Sequence, residues 1–352
     1  MERIKKVIKN IFGIDQAIVE KTQERLDNLT KPLGSLGRLE ELAKQICGIA
    51  GKEIPGLVNK VIFVLAADHG VTDEGVSAYP KEVTAQMVYN FLSGGAGINV
   101  LAKHVDAKVV VVDIGVAADL RSDPRLYVRK INYGTKNMAK GPAMTRLEAI
   151  EAVCAGINLF EEEFKSGLDI VGTGEMGIGN TTSASAITAV FTGSLVEDIT
   201  GKGAGLNDLG LKKKIEIIKK ALLINKPDPT DPIDVLSKVG GFEIAGLTGI
   251  ILAAAAHKVP VVIDGFISGA AALVAFKFEP KVKDYMIAAH KSQEGGHKII
   301  LEHIGLRPLL DLDLRLGEGT GGALGIGLAD AAIKILTQMA TFKSANVSEK
   351  KI

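Results

Sequence analysis

Leu168-Asp-Ile-Val-Gly-Thr-Gly-Glu-Met-Gly-Ile-Gly-Asn-Thr-Thr182 is the stretch whose reading decides the fold. A short apolar run, Leu168 to Val171, leads into the glycine-rich segment Gly172 to Gly179. Asn180-Thr-Thr-Ser then opens a helical pattern. Strand, glycine turn and helix form the repeating unit of α/β proteins. Moving outward, Val61-Ile-Phe-Val-Leu65, Val109-Val-Val-Val-Asp-Ile114, Val259-Pro-Val-Val-Ile263 and Leu309-Leu-Asp-Leu-Asp-Leu314 are further apolar runs of strand length. Amphipathic segments of helix length separate them, such as Lys81 to Lys103, Arg146 to Phe164 and Leu211 to Leu223. Short buried strands alternating with helices predict an α/β fold, a mainly parallel sheet with helices on both faces. Ligands of such sheets sit beyond the carboxyl ends of the strands. The glycines collect there, in Asp68-His-Gly70, Gly172 to Gly179, Asp264-Gly-Phe-Ile-Ser-Gly269 and Gly317-Glu-Gly-Thr-Gly-Gly322.

The first 50 residues read as helices. Ile14 to Leu29 carries apolar residues at helical spacing. After the break Pro32-Leu-Gly-Ser-Leu-Gly37, a stripe of Leu36, Leu39, Leu42 and Ile46 predicts a second helix. The tail, Phe342 to Ile352, is polar and expected to fray.

Composition excludes several classes. Of 352 residues, 47% are hydrophobic and 24% charged, which rules out disorder as the main state. With 42 basic and 41 acidic side chains, net charge +1, a broad nucleic-acid or anionic-membrane surface is not expected. No tryptophan and 5% aromatics disfavour base-stacking platforms. Cys47 and Cys154 lie in helix-like apolar patterns and read as reduced core thiols. Met1-Glu-Arg-Ile-Lys-Lys leads into no apolar signal region. The apolar run Ile244 to Ala256, about 13 residues, is too short to span a bilayer. A cytoplasmic protein is expected.

Gly172, Gly174 and Gly177 satisfy G-x-G-x-x-G, with Asp198 about 20 residues on, as in a dinucleotide fingerprint. Three features weigh against it. The motif lies mid-chain, Asp198 sits in a polar stretch, and Gly317 to Gly322 repeats the pattern. What remains is an array of free N–H groups and hydroxyls suited to one phosphate. The plain alternative is a strand-to-helix turn with an Asn/Thr cap. No P-loop motif is present. Lys202 or a lysine of Lys212-Lys213-Lys214 could add a cation, or could belong to solvated helix faces. The six histidines lack metal-ligand spacing, so no metal is expected. Ser268 lacks a nucleophile elbow. Glu318, between Gly317 and Gly319 and just past the run 309–314, is placed as a general base, or is a loop carboxylate in water.

Six stretches taken together carry a resemblance. They are Leu29-Thr-Lys-Pro-Leu-Gly-Ser-Leu-Gly-Arg-Leu-Glu40, Ala67-Asp-His-Gly-Val71, Gly75-Val-Ser-Ala-Tyr-Pro-Lys-Glu-Val-Thr84, Gly177-Ile-Gly-Asn-Thr-Thr182, Gly265-Phe-Ile-Ser-Gly269 and Arg315-Leu-Gly-Glu-Gly-Thr-Gly-Gly322. In order and spacing the chain resembles the nicotinate-nucleotide:dimethylbenzimidazole phosphoribosyltransferase family over about residues 15–340. The resemblance implies transfer of the phosphoribosyl group of nicotinate mononucleotide to 5,6-dimethylbenzimidazole, or a related base, in cobalamin biosynthesis. The products would be nicotinate and α-ribazole 5′-phosphate, with inversion at the anomeric carbon. It implies a Rossmann-like large domain, 53–327, a small helical domain from 1–52 and 328–352, a homodimer, and neither metal nor organic cofactor.

It also implies roles. Glu318 would be the base and Glu175 an acid near the reaction centre. Gly177, Gly179, Asn180, Thr181, Gly203, Lys214 and Ser292 would hold phosphate and ribose. Ser77, Tyr79, Gln86 and Met176 would line the acceptor pocket. The lysine register in 212–214 is open by one residue. Two other readings stand beside this one: a non-catalytic sensor of nicotinate mononucleotide, and an NAD-dependent oxidoreductase.

Overall fold

The structure is a computed structural model that describes residues 1–348. Six strands, β1 (Lys60–Ala67), β2 (Lys108–Gly115), β3 (Leu126–Val128), β4 (Ile170–Met176), β5 (Val261–Ile263) and β6 (Met286–Ala288), form one sheet. Every pairing is parallel, in the order β3-β2-β1-β4-β5-β6. The order reverses between β1 and β4, where a crevice opens beyond the strand ends in folds of this kind.

Helices flank the sheet. Before it come α1 (Glu2–Ile8), α2 (Gln16–Asp27) and α3 (Arg38–Ala50). Between strands run α4 (Glu82–Ser93), α5 (Gly97–His104), α6 (Arg146–Phe164), α7 (Asn180–Thr192), α8 (Val196–Ile199), α9 (Asp208–Asn225), α10 (Pro232–Val239), α11 (Phe242–Ala256) and α12 (Phe266–Phe278). After β6 come α13 (Gly295–Ile304), α14 (Thr320–Gln338) and α15 (Phe342–Ala345). Side chains alternate across a strand. Val61, Phe63, Leu65 and Ala67 of β1 therefore join the core built with α6, α7, α11 and α12. Ile62, Val64 and Ala66 join the core built with α3, α4, α5 and α14. Two buried faces explain why β1 is apolar throughout.

Five features differ from what the sequence patterns predict. Leu309–Leu314 is not a strand. Leu309 donates to Ala288, the last residue of β6, and Leu310 to Ala289 just beyond it, but Asp313 turns to φ +55° and Leu312 is exposed, so the alternation lies at the surface. The sheet instead gains β3 and β6, three residues each, too short to show a period. Lys81 to Lys103 is two helices, because Gly94 ends α4 at φ +79°. β5 begins only after Pro260, which has no N–H to pair. Finally, β4 runs on through Gly172-Thr-Gly-Glu-Met176. Gly172 and Gly174 are strand residues, and the turn is only Gly177 to Gly179. Asp198 lies in α8, not at a strand end, so the dinucleotide fingerprint has no structural counterpart.

Both cysteines are free. α14 is long and apolar enough to cross a membrane by length and composition, yet it is a core helix packed on β4 and α3. It continues unbroken through residue 328. Within the expected frayed tail, α15 forms one turn, and 349–352 lie outside the described residues.

α6 and α11 cross at contact distance because glycines face carbonyls. A Cβ on Gly156 would strike the Gly246 carbonyl. Gly156→Ala should lose about 1–3 kcal/mol of stability in denaturant titration. Gly141→Ala, which enters open space, should stay within about 0.5 kcal/mol. Equal losses would show that the crossing is not tightly packed.

Candidate active site

The turn after β4 lies directly on the end of β1. A Cβ on Gly177 would strike the Ala67 carbonyl, and one on Gly179 would come within 2.8 Å of Thr72. The Ile178 N–H donates to the Thr84 hydroxyl (3.2 Å), which ties α4 over the turn. α7 then starts at Asn180. The Asn180 and Thr182 N–H groups donate to the Gly177 (3.1 Å) and Gly179 (3.0 Å) carbonyls, so the sequence's expected array of free N–H groups narrows to that of Thr181. Lys214 reaches this helix start from α9. Its Nζ donates to the Thr181 hydroxyl (2.8 Å) and the Gly201 carbonyl (3.3 Å). Lys212 and Lys213 are exposed while Lys214 is buried, so the inward lysine of the run is Lys214. Burial pushes its ammonium down to about 8, opposed by the charge of Glu294. Gly203, at φ +55°, lies beside Thr181 and donates its N–H to Glu294 (2.9 Å). The Glu294 N–H donates to the Ser292 hydroxyl (3.3 Å). Gly177, Gly179, Asn180, Thr181, Gly203, Lys214 and Ser292 thus form one connected wall.

Two acids adjoin this wall through Asn180. Glu175 is buried at the end of β4, and the Asn180 amide donates to its carboxylate. Burial, then the charges of Asp264 and Glu243, push its carboxyl up to about 8. The Glu318 N–H and the Asn180 amide oppose the rise. Glu318 precedes α14 and has a left-handed backbone, φ +63°. Its carboxylate accepts the Ile98 N–H (3.3 Å) at the start of α5, where a helix end favours negative charge. Burial raises its pKa, the Ile98 N–H lowers it, and the charge of Asp264 raises it further. A Cβ on Gly317 would strike the Glu175 carboxylate, so the two acids share one crevice.

The four residues expected to line an acceptor pocket are exposed or half-buried, three of them between 77 and 86 and one at the end of β4. Met176 is half-buried at the end of β4. Gln86 is exposed on α4, two residues past Thr84. Tyr79 is 52% exposed, and its N–H donates to the Ser77 hydroxyl (3.2 Å).

Several buried polar residues escaped the sequence reading. Asp264, at the end of β5, accepts the N–H groups of Gly319 (3.1 Å) and Gly322 (2.9 Å). His290 faces it at 3.7 Å. Burial lowers the pKa of His290, but the hydrogen bond and charge of Asp264 outweigh that and the net move is up. His69 bridges Ser183 (3.1 Å) and Glu243 (2.8 Å), pinning the first turn of α7 to α11. Asp264 and His69 are each next to a glycine shortly after an apolar run, as in Asp264-Gly265, while His290 and Glu243 lack even that signal.

Comparison with known proteins decides the family. A phosphoribosyltransferase family model matches residues 11–347. The nicotinate-nucleotide–dimethylbenzimidazole phosphoribosyltransferase of Desulforudis audaxviator is 56% identical over 351 residues, covering 100% of this chain and 99% of its own. The enzyme of the same name from Geobacter metallireducens is 57% identical over 349 residues, covering 99% of each chain. The chain belongs to the nicotinate-nucleotide–dimethylbenzimidazole phosphoribosyltransferase family. The crystal structure of CobT from Thermus thermophilus superposes with a TM-score of 0.91 at 45% identity, over 95% of this chain and 100% of that one. This phosphoribosyltransferase carries two buried glutamates, one of them bonded to Asn180 in the glycine turn that a buried lysine reaches.

Glu175 makes stability depend on pH. Its carboxyl ionises near 4.5 in an unfolded chain but near 8 when folded. The folded state therefore holds this proton more tightly, and its advantage is lost as pH rises from about 4.5 through about 8. Glu175→Gln removes the proton from the balance. Its melting temperature relative to wild type should rise between about pH 5 and about pH 8 and level off above that. A difference constant over that range would show that Glu175 ionises as an ordinary glutamate.

Proposed function

We propose that the chain transfers the phosphoribosyl group of nicotinate mononucleotide to a ring nitrogen of 5,6-dimethylbenzimidazole or a related base. The products are nicotinate and α-ribazole 5′-phosphate, a step of cobalamin biosynthesis. Family membership supports this reading. The observation that carries it is the chain of contacts from Lys214 through Thr181 and Asn180 to Glu175, whose carboxylate lies against Gly317 beside Glu318.

The pyridinium of the donor carries a positive charge, so nicotinate departs as a neutral ring without being protonated. The bond from the anomeric carbon to the pyridinium nitrogen breaks, and a bond to the acceptor nitrogen forms on the opposite face. The acceptor N–H then loses its proton, and Glu318 takes it. The Thr181 N–H at the start of α7, the Thr181 hydroxyl and Lys214 hold the phosphate, with Gly203 and Ser292 beside it. The two glutamates divide their work by environment. Glu175, held near 8, stays protonated at neutral pH and orients the site through Asn180. Glu318, on the N-terminus of α5, is the one poised to ionise. Ser77, Tyr79, Gln86 and Met176 shape the space for the acceptor ring.

We place the protein in the cytoplasm and infer a homodimer, with residues 1–52 and 328–352 as a helical annex. The Leu29–Thr341 bridge and the bond from the Arg25 side chain to the Leu336 carbonyl support the pairing of the two ends. Leu33, Tyr79 and Leu316 leave large apolar surface exposed, which a second copy would cover. Sedimentation at micromolar concentration should give about twice 37.1 kDa. A mass near 37.1 kDa would rule the dimer out.

Glu318→Gln keeps the shape and loses the base. Measured by nicotinate release at equal melting temperature, kcat should fall by about 10²–10⁴-fold while donor affinity holds. Wild-type kcat in this variant would remove Glu318 from the chemistry.

A further inference from the structure

Gly317, Glu318 and Gly319 have φ of +81°, +63° and +96°. Three consecutive left-handed residues, with a glutamate in the middle, do not hold themselves. The two glycines accept this backbone; Glu318 does so under strain. Something outside the turn must keep it, because a relaxed Glu318 would swing its carboxylate away from α5.

The neighbours that hold it come from adjacent strands. From β4, the buried Glu175 carboxylate lies against Gly317 and faces the Glu318 N–H. From β5, Asp264 takes the next peptide, with one carboxylate oxygen on the Gly319 N–H (3.1 Å) and the other on the Gly322 N–H (2.9 Å). The latter group lies in the first turn of α14, so Asp264 caps that helix from another element. Asp264 is itself fixed. It is 1% exposed, its N–H donates to the Thr173 hydroxyl (3.2 Å), and His290 closes the side toward α13. The His290 ring lies against Gly321, where a Cβ would strike it.

We propose that Asp264 is a positioning residue for the transfer reaction. It clamps the left-handed turn Gly317–Gly319 and so aims the Glu318 carboxylate at the acceptor. The assignment rests on the transferase reading for its kinetic consequence, but not for the clamp itself. The charged groups around it are Glu175 on β4, Glu243 on α11, His290 after β6 and Glu318 itself. Its negative charge adds to burial in raising Glu318. Removing that charge therefore lets Glu318 ionise at lower pH.

The test uses the full-length enzyme with Asp264→Asn, which preserves shape and one acceptor, and Asp264→Ala, which preserves neither. Without substrate, amide hydrogen exchange at Gly319 and Gly322 should quicken in Asn and more so in Ala. With nicotinate mononucleotide and dimethylbenzimidazole, kcat should drop by about 10²-fold in Ala and less in Asn, with donor KM within about twofold. The acid limb of the rate profile in Asn should move to lower pH. Unchanged exchange in Asn would overturn the clamp. So would a raised donor KM at wild-type kcat, which would make Asp264 a substrate contact. A wild-type enzyme that releases no nicotinate would instead overturn the transferase reading, leaving the exchange result to judge the clamp.

Discussion

The site depends on one close approach, backbone against backbone, between β4 and the turn before α14. A Cβ on Gly174 would strike the Glu318 carbonyl, and one on Gly319 would meet the Thr173 carbonyl at 3.2 Å. With no side chain between them, the turn lies flat on the strand. Glu175, on the next residue of β4, then shares a pocket with a glutamate 143 positions away, counted from 318 − 175. The packing of α14 against β4 and α3 holds the turn from behind. The fold thus brings the acids together by removing side chains rather than by adding contacts.

That approach has an electrostatic consequence. Glu175, Glu243, Asp264 and Glu318 are all buried around one crevice, and water that would screen them is displaced. Backbone N–H groups from α5 and α14, the Asn180 amide, His69 and His290 answer them. The result is graded. Glu175 keeps its proton to about 8, while Glu318, on a helix end, has an N–H that favours ionisation. Lys214 is held down to about 8 and bonded to Thr181, at the start of α7. A buried cation close to a cluster of buried acids suits a donor with an anionic phosphate at one end and a cationic ring at the other.

The parallel sheet was legible because β1 and β2 are buried on both faces, so Val61 to Ala67 and Val109 to Val112 are continuous apolar runs, while β4 showed only its first residues before the glycines. β3 and β6 were not, since three residues at a sheet edge carry no period. Leu309 to Leu314 misled for the converse reason: alternating Leu and Asp mimic a strand where Asp313 kinks the chain. At the site, Glu318 stood out by its two glycines and Lys214 by its run, yet only burial separates Lys214 from Lys212 and Lys213. Asp264, His69 and Glu243 were silent. Their work is with partners far away in sequence, such as Gly319, Ser183 and Glu175, and no local pattern encodes those meetings.

The most direct test is a crystal structure of the enzyme with nicotinate mononucleotide and a benzimidazole. The phosphate should lie on the Gly177–Thr181 turn near Lys214, and the acceptor N–H within hydrogen-bond distance of the Glu318 carboxylate. A phosphate bound elsewhere with that turn empty, or an acceptor whose N–H points away from Glu318, would contradict the assignment of the site.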